Sequence, residues 1–101
     1  MALQKLVRDK IPEIIRCSGE EPVTRIMDDG EYLIALEKKL DEEVAEYHES
    51  HDVEELADVL EVVYALCEAQ GKTIDDLMRV YSKKHEERGG FKKKIFLISK
   101  K

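Results

Sequence analysis

The residues of this sequence that could do chemistry are carboxylates concentrated in one segment. Residues 40–71 include eleven Asp and Glu and no Lys or Arg, so the segment carries a charge of −11. Side chains three residues apart on a helix have Cβ atoms only about 5–6 Å apart. The pair Glu43 and Glu46, and the pair Glu55 and Asp58, are therefore predicted to bring four carboxylates into two close couples.

The negative charge of such pairs must be offset, because two ionised carboxylates 4–5 Å apart repel by roughly 3–4 kcal/mol at an effective dielectric constant near 20. The compensation can come from proton uptake, from Lys or Arg of the chain ends, or from a hard divalent cation, and oxygen ligands favour Mg²⁺. A solvated acidic face is the ordinary alternative. A di-iron site would need Glu-x-x-His pairs, but no Glu precedes His48, His51 or His85 by three residues.

The hydrophobic spacing predicts an all-α domain spanning residues 1–101. Helices are expected over about residues 31–49, 53–70 and 74–88. The link of two or three residues between the first two predicts an antiparallel hairpin, to which the third helix adds. A short helix is expected to begin near Pro12, and a short strand or extended tail near the C-terminus, at residues 94–98.

Local signals at the helix ends support these boundaries. Asp52 with Glu55, and Thr73 with Asp76, have the spacing of capping boxes at the starts of the second and third helices. Gly71 is a typical residue just after a helix end.

The faces of the two long helices indicate how the acids are oriented. The first helix has an apolar stripe of Leu33, Leu36, Leu40, Val44 and Tyr47. The stripe of the second is Val53, Leu56, Leu60, Val63 and Cys67, with Glu55 and Asp58 round the back. Towards the C-terminal end of this helix, the face that carries Glu55 and Asp58 is also apolar. We therefore expect a second subunit to cover the helix, in a homodimer or homotetramer.

On the first helix, Glu43 and Glu46 flank the stripe on one side. Lys39 is one turn before Glu43 and is expected to reach it. Glu42 points nearly opposite the stripe, which predicts contact with solvent.

Length and composition exclude several classes of protein. The 101 residues have a net charge of −6, which argues against nucleic acid as the main partner despite a basic segment at residues 91–96. No apolar run is long enough to span a membrane and no signal peptide is recognisable, so we expect a soluble, cytoplasmic protein. Cys17 and Cys67 lack the spacing of a zinc site or a disulfide framework.

The acidic motifs resemble those of a known superfamily. Glu42-Glu43-Val44-Ala45-Glu46, followed by Glu55-Leu56-Ala57-Asp58, is similar to the EExxE and ExxD signature of MazG-like all-α nucleotide pyrophosphohydrolases. These include phosphoribosyl-ATP pyrophosphohydrolase. The motifs Lys5-Leu6-Val7-Arg8-Asp9-Lys10-Ile11-Pro12 and Arg88-Gly89-Gly90-Phe91 resemble a branch of short relatives.

The resemblance implies that Glu43, Glu46, Glu55 and Asp58 bind Mg²⁺ as catalytic residues. It also implies cleavage of a nucleotide between its α and β phosphates. Phosphate contacts are expected from nearby basic residues, for which the candidates are Arg8, Lys10, Lys39 and Arg88. The alternative hypothesis is a non-enzymatic dimerisation or regulatory module, whose acids form a docking face for a basic partner.

Overall fold

The computed structural model describes residues 4–101, and all the regular structure within that range is helical. The helices are α1 (Ile11–Cys17), α2 (Asp29–Ser50), α3 (Val53–Ala69) and α4 (Ile74–Arg88). The all-α prediction is confirmed, and the boundaries of the three long helices differ from the expected ones by two residues at most. Residues 94–101 form neither helix nor strand.

Capping explains two helix starts and corrects a third. Asp28 begins α2, because its carboxylate accepts a hydrogen bond from the Glu31 backbone N–H at 2.8 Å while the Glu31 side chain accepts one from the Asp28 N–H. Thr73 and Asp76 form the predicted capping box of α4. The capping box predicted for α3 is wrong, since Asp52 makes no side-chain cap hydrogen bond.

The end of α3 matches the expectation for Gly71. The backbone N–H of Gly71 donates to the Glu68 carbonyl at 2.9 Å, and that of Lys72 donates to the Cys67 carbonyl at 3.2 Å. This is a Schellman motif, which requires a left-handed residue between helix and loop. Gly71 has φ +79°, a conformation that costs glycine little.

The packing of α2 on α3 corrects the expected faces. Leu36 on α2 and Val62 on α3 are the buried apolar residues of the described chain. The face of α3 turned towards α2 is therefore the one expected at the back, which carries Glu55 and Asp58. The expected stripe is largely exposed, with Val53 at 77% and Leu60 at 46%.

The chain is more extended than a typical domain of its size. Its radius of gyration is 17.9 Å, against about 13 Å for a compact domain of about 100 residues. Helix α4 packs against α3 but not against α2. Among residues 4–101, no helix combines the length and apolar character needed to cross a membrane.

Gly71→Ala is expected to lower the free energy of unfolding by about 1 kcal/mol, because Ala is strained at positive φ. Gly30→Ala is the matched control, since Gly30 lies inside α2 and a Cβ there comes no closer than 3.4 Å to the Asp28 carboxylate. Urea unfolding of both variants checks the prediction. Equal loss of stability in the two would contradict it.

Candidate metal centre

Glu43 is the central residue of a carboxylate cluster between α2 and α3. Its carboxylate forms one group with Glu42 and Glu46, and a second with Glu55 and Asp58. Within each group, one oxygen from each residue lies within 4.8 Å of the others. The tight turn between the helices places the last two turns of α2 beside the first two of α3. Glu43 is therefore close to each of the other three predicted ligands, while Glu46 lies in one group and Glu55 and Asp58 lie in the other.

Two basic residues reach this carboxylate cluster. The Lys39 ammonium lies 3.4 Å from Glu42 Oε1 and 3.6 Å from Glu43 Oε1, which confirms the predicted Lys39–Glu43 contact. Arg8 comes from the N-terminal segment, and its guanidinium donates a hydrogen bond of 2.8 Å to Asp58 Oδ1. Both basic side chains that offset the negative charge of the cluster therefore come from outside the acidic segment, residues 40–71.

Burial, together with the remaining negative charge, raises the pKa of two members of the cluster. Burial is the main cause for Glu43, and repulsion from Glu46 adds to it, while Lys39 acts in the opposite direction. The pKa of Glu55 is also raised, by desolvation and by repulsion from Glu46 and Asp58. Both shifts mean that the charged forms of Glu43 and Glu55 are disfavoured in the folded protein.

The buried end of Glu43 has an oxygen atom without a partner. Glu43 is 8% exposed, and its Oε2 is buried without a hydrogen-bond partner. Such an atom costs roughly 1–3 kcal/mol when it is left unpaired. Five carboxylates also face two basic side chains, Lys39 and Arg8. The residues therefore fit a hard divalent cation, because it would supply both a partner for Oε2 and the missing positive charge.

The other predicted residues lie elsewhere. Lys10 and Arg88 are exposed, and within residues 4–101 neither forms an ion pair with the cluster. The prediction that Glu42 contacts solvent is confirmed, and its carboxylate also accepts a hydrogen bond from Lys39 and lies in one group with Glu43 and Glu46.

Comparisons with known proteins do not identify a family. No family model matches the chain, and no solved structure matches it. The chain is similar to an uncharacterized protein of Mycolicibacterium smegmatis, with 61% identity over 44 residues. That match covers 44% of this chain and 45% of the relative, so the chain spans less than half the length of the curated relative it matches.

Glu43→Gln is expected to raise the free energy of unfolding at pH 7 by about 1 kcal/mol in EDTA, because it removes a buried, repelled charge. The raised pKa of Glu43 means that the folded protein binds its proton up to a higher pH than the unfolded chain does. Between these two pKa values the free energy of unfolding falls as the pH rises. The variant should therefore lose less stability than the parent over that interval.

Urea unfolding in EDTA at a series of pH values between about pH 4 and about pH 8 measures this effect. Glu49→Gln is the control, since Glu49 is an exposed carboxylate of α2 outside both carboxylate groups. Parallel pH profiles for the parent and both variants would show that Glu43 is not destabilising.

Proposed function

We propose that the protein is a magnesium-dependent nucleotide pyrophosphohydrolase of the MazG-like type. It would cleave a nucleoside triphosphate or a related nucleotide between the α and β phosphates, giving a nucleoside monophosphate and pyrophosphate. The observation that supports this most directly is the buried, unpaired Oε2 of Glu43 at the centre of five carboxylates. A nucleotide substrate also agrees with the cytoplasmic location expected from the sequence.

The roles of the side chains follow from their positions. Glu43, Glu46, Glu55 and Asp58 would hold Mg²⁺, which when bound polarises phosphate oxygens and lowers the pKa of water. Glu42 is the best placed additional carboxylate to act as a general base and accept a proton from the attacking water, since it adjoins Glu43 and Glu46.

Two basic residues beside the cluster would bind phosphate. Lys39 and Arg8 already lie at its edge, where each could exchange a carboxylate for a phosphate oxygen. Lys10 and Arg88 lie on other parts of the surface. They could contact a bound phosphate only from there or from a second subunit.

Pyrophosphate release from a panel of nucleoside triphosphates tests the proposed activity. We expect release with Mg²⁺ and none with EDTA. Glu43→Gln and Asp58→Asn should each lower the rate by roughly a hundredfold or more, because each removes a ligand from the proposed centre. Glu49→Gln should keep the parental rate, and equal rates for all four proteins would exclude the carboxylate cluster as the active site.

We also propose that the protein functions as a homodimer or homotetramer, with residues 94–101 as an extended tail. The accessible surface of the chain is 9491 Å², whereas roughly 5,900 Å² is expected for a compact monomer of 11.7 kDa. Exposed apolar side chains contribute to this excess, since Leu33 and Val44 on α2, and Leu56 and Leu60 on α3, are all at least 36% exposed. A second copy of this chain would bury these apolar surfaces.

Leu60→Glu is expected to reduce the mass in solution from two or four chains to one, because it puts a charge into the proposed subunit contact. Sedimentation equilibrium measures the mass directly. Val23→Glu is the control, since Val23 is 97% exposed in the segment between α1 and α2. A monomeric parent, or dissociation of both variants, would contradict the assignment of this surface.

A non-enzymatic helical module remains the second candidate, and the same exposed apolar surface favours it. This candidate predicts no specific gain of stability from Mg²⁺. Thermal unfolding with and without millimolar Mg²⁺ separates the two functions, since a ligand that binds only the folded state raises its stability. A gain in the parent that is absent from Glu43→Gln supports the enzyme, and no gain in either supports the module.

A further inference from the structure

We propose that the cleft between the N-terminal segment and α2 binds the nucleoside monophosphate portion of the substrate. This inference rests on the proposed nucleotide chemistry and adds a binding site for one part of the ligand. The cleft has a volume of about 370 Å³ and is partly open to solvent. That volume lies at the lower end of the range for small-molecule sites.

The chemistry of the walls suits an anion with an apolar, planar portion. One wall is apolar, and it is formed by Leu6, Met27, Ile34 and Ala35. A base and its sugar could pack against these side chains, as apolar surfaces do in most ligand pockets. The polar part of the lining comes mainly from charged residues, among which Lys5, Lys38 and Lys39 supply three positive charges.

The charges of the cleft leave two of these lysines available to a ligand. The cleft also contains Glu31 and Glu42, but each of these is already paired. Both Glu31 carboxylate oxygens accept hydrogen bonds from Arg25, at 3.1 and 2.7 Å, and Glu42 accepts one from Lys39 at 3.4 Å. In the described chain, Lys5 and Lys38 have no ion-pair partner. An anionic ligand would give them one.

The cleft is continuous with the carboxylate cluster. Lys39 lines the cleft and contacts Glu43, and Glu42 belongs to both the cleft and the first carboxylate group. A nucleotide whose α phosphate lies near Lys39 could therefore place its nucleoside in the cleft and its remaining phosphates at the cluster. The Arg8–Asp58 hydrogen bond ties the segment that forms the outer wall to α3.

Titration of the full chain with AMP in EDTA tests the cleft independently of metal binding. We expect binding that shifts the amide resonances of Leu6 and Ala35 in two-dimensional NMR spectra. Lys38→Gln keeps most of the side chain but removes its charge, and should weaken AMP binding roughly fivefold. Lys84→Gln is the matched control on α4, outside the cleft, and should bind like the parent.

Two further measurements make the outcome decisive. Ala35→Leu should weaken AMP binding by filling the cleft, and its circular dichroism spectrum should show that the helices persist. Adenosine and inorganic phosphate should each bind more weakly than AMP, because each occupies one part of the cleft. No binding of AMP at millimolar concentration, or equal binding by Lys38→Gln and Lys84→Gln, would overturn the proposal.

The result can be distinguished from failure of the proposed hydrolase. Pyrophosphate release without AMP binding to the cleft would overturn only the cleft. AMP binding that depends on Lys38, in a protein that releases no pyrophosphate, would support the cleft while rejecting the hydrolase.

Discussion

The burial of Glu43 among other carboxylates is the constraint on which the arrangement of α2 and α3 depends. The two helices pack on each other and bury Leu36 and Val62, while carboxylate oxygens of neighbouring acids lie within 4.8 Å of one another. Lys39 and Arg8 offset part of the repulsion, and burial together with the repulsion that remains raises the pKa of Glu43. What remains is an electrostatic cost at one point of the hairpin, and such a cost is typical of a functional site.

The same constraint determines where the apolar surface lies. Because α3 turns Glu55 and Asp58 towards α2, the apolar side chains opposite them, including Val53 and Leu60, are directed away from the hairpin. Among the helices of residues 4–101, α4 packs against another part of α3. A single helix thus has an acidic face inside the hairpin and an apolar face outside it. Covering the outer face with a second chain would also hold the inner face in position, which links assembly to the proposed chemistry.

Local patterns in the sequence predict the helices well, but they do not predict how α3 is rotated. The spacing of residues in the sequence gives the angle between Asp58 and Leu60 around the helix axis. It does not say which face of α3 packs on α2 when both faces carry apolar residues. The predicted capping box does not form: the Asp52 backbone N–H donates to Ser50 Oγ at 3.2 Å, and the Glu55 carboxylate belongs to the carboxylate cluster. The contact of Arg8 with Asp58 joins residues fifty positions apart, so no local pattern could identify it.

The Arg8–Asp58 contact also explains why the N-terminal segment belongs to the site. Both side chains of this pair are substantially exposed, so the pair contributes little stability by itself. Its importance is positional, because it ties the outer wall of the cleft to the helix that supplies two of the proposed ligands. A ligand that changes the charge around Asp58 necessarily changes the strength of this contact. By thermodynamic reciprocity, the position of the segment then affects the affinity of the cluster for that ligand.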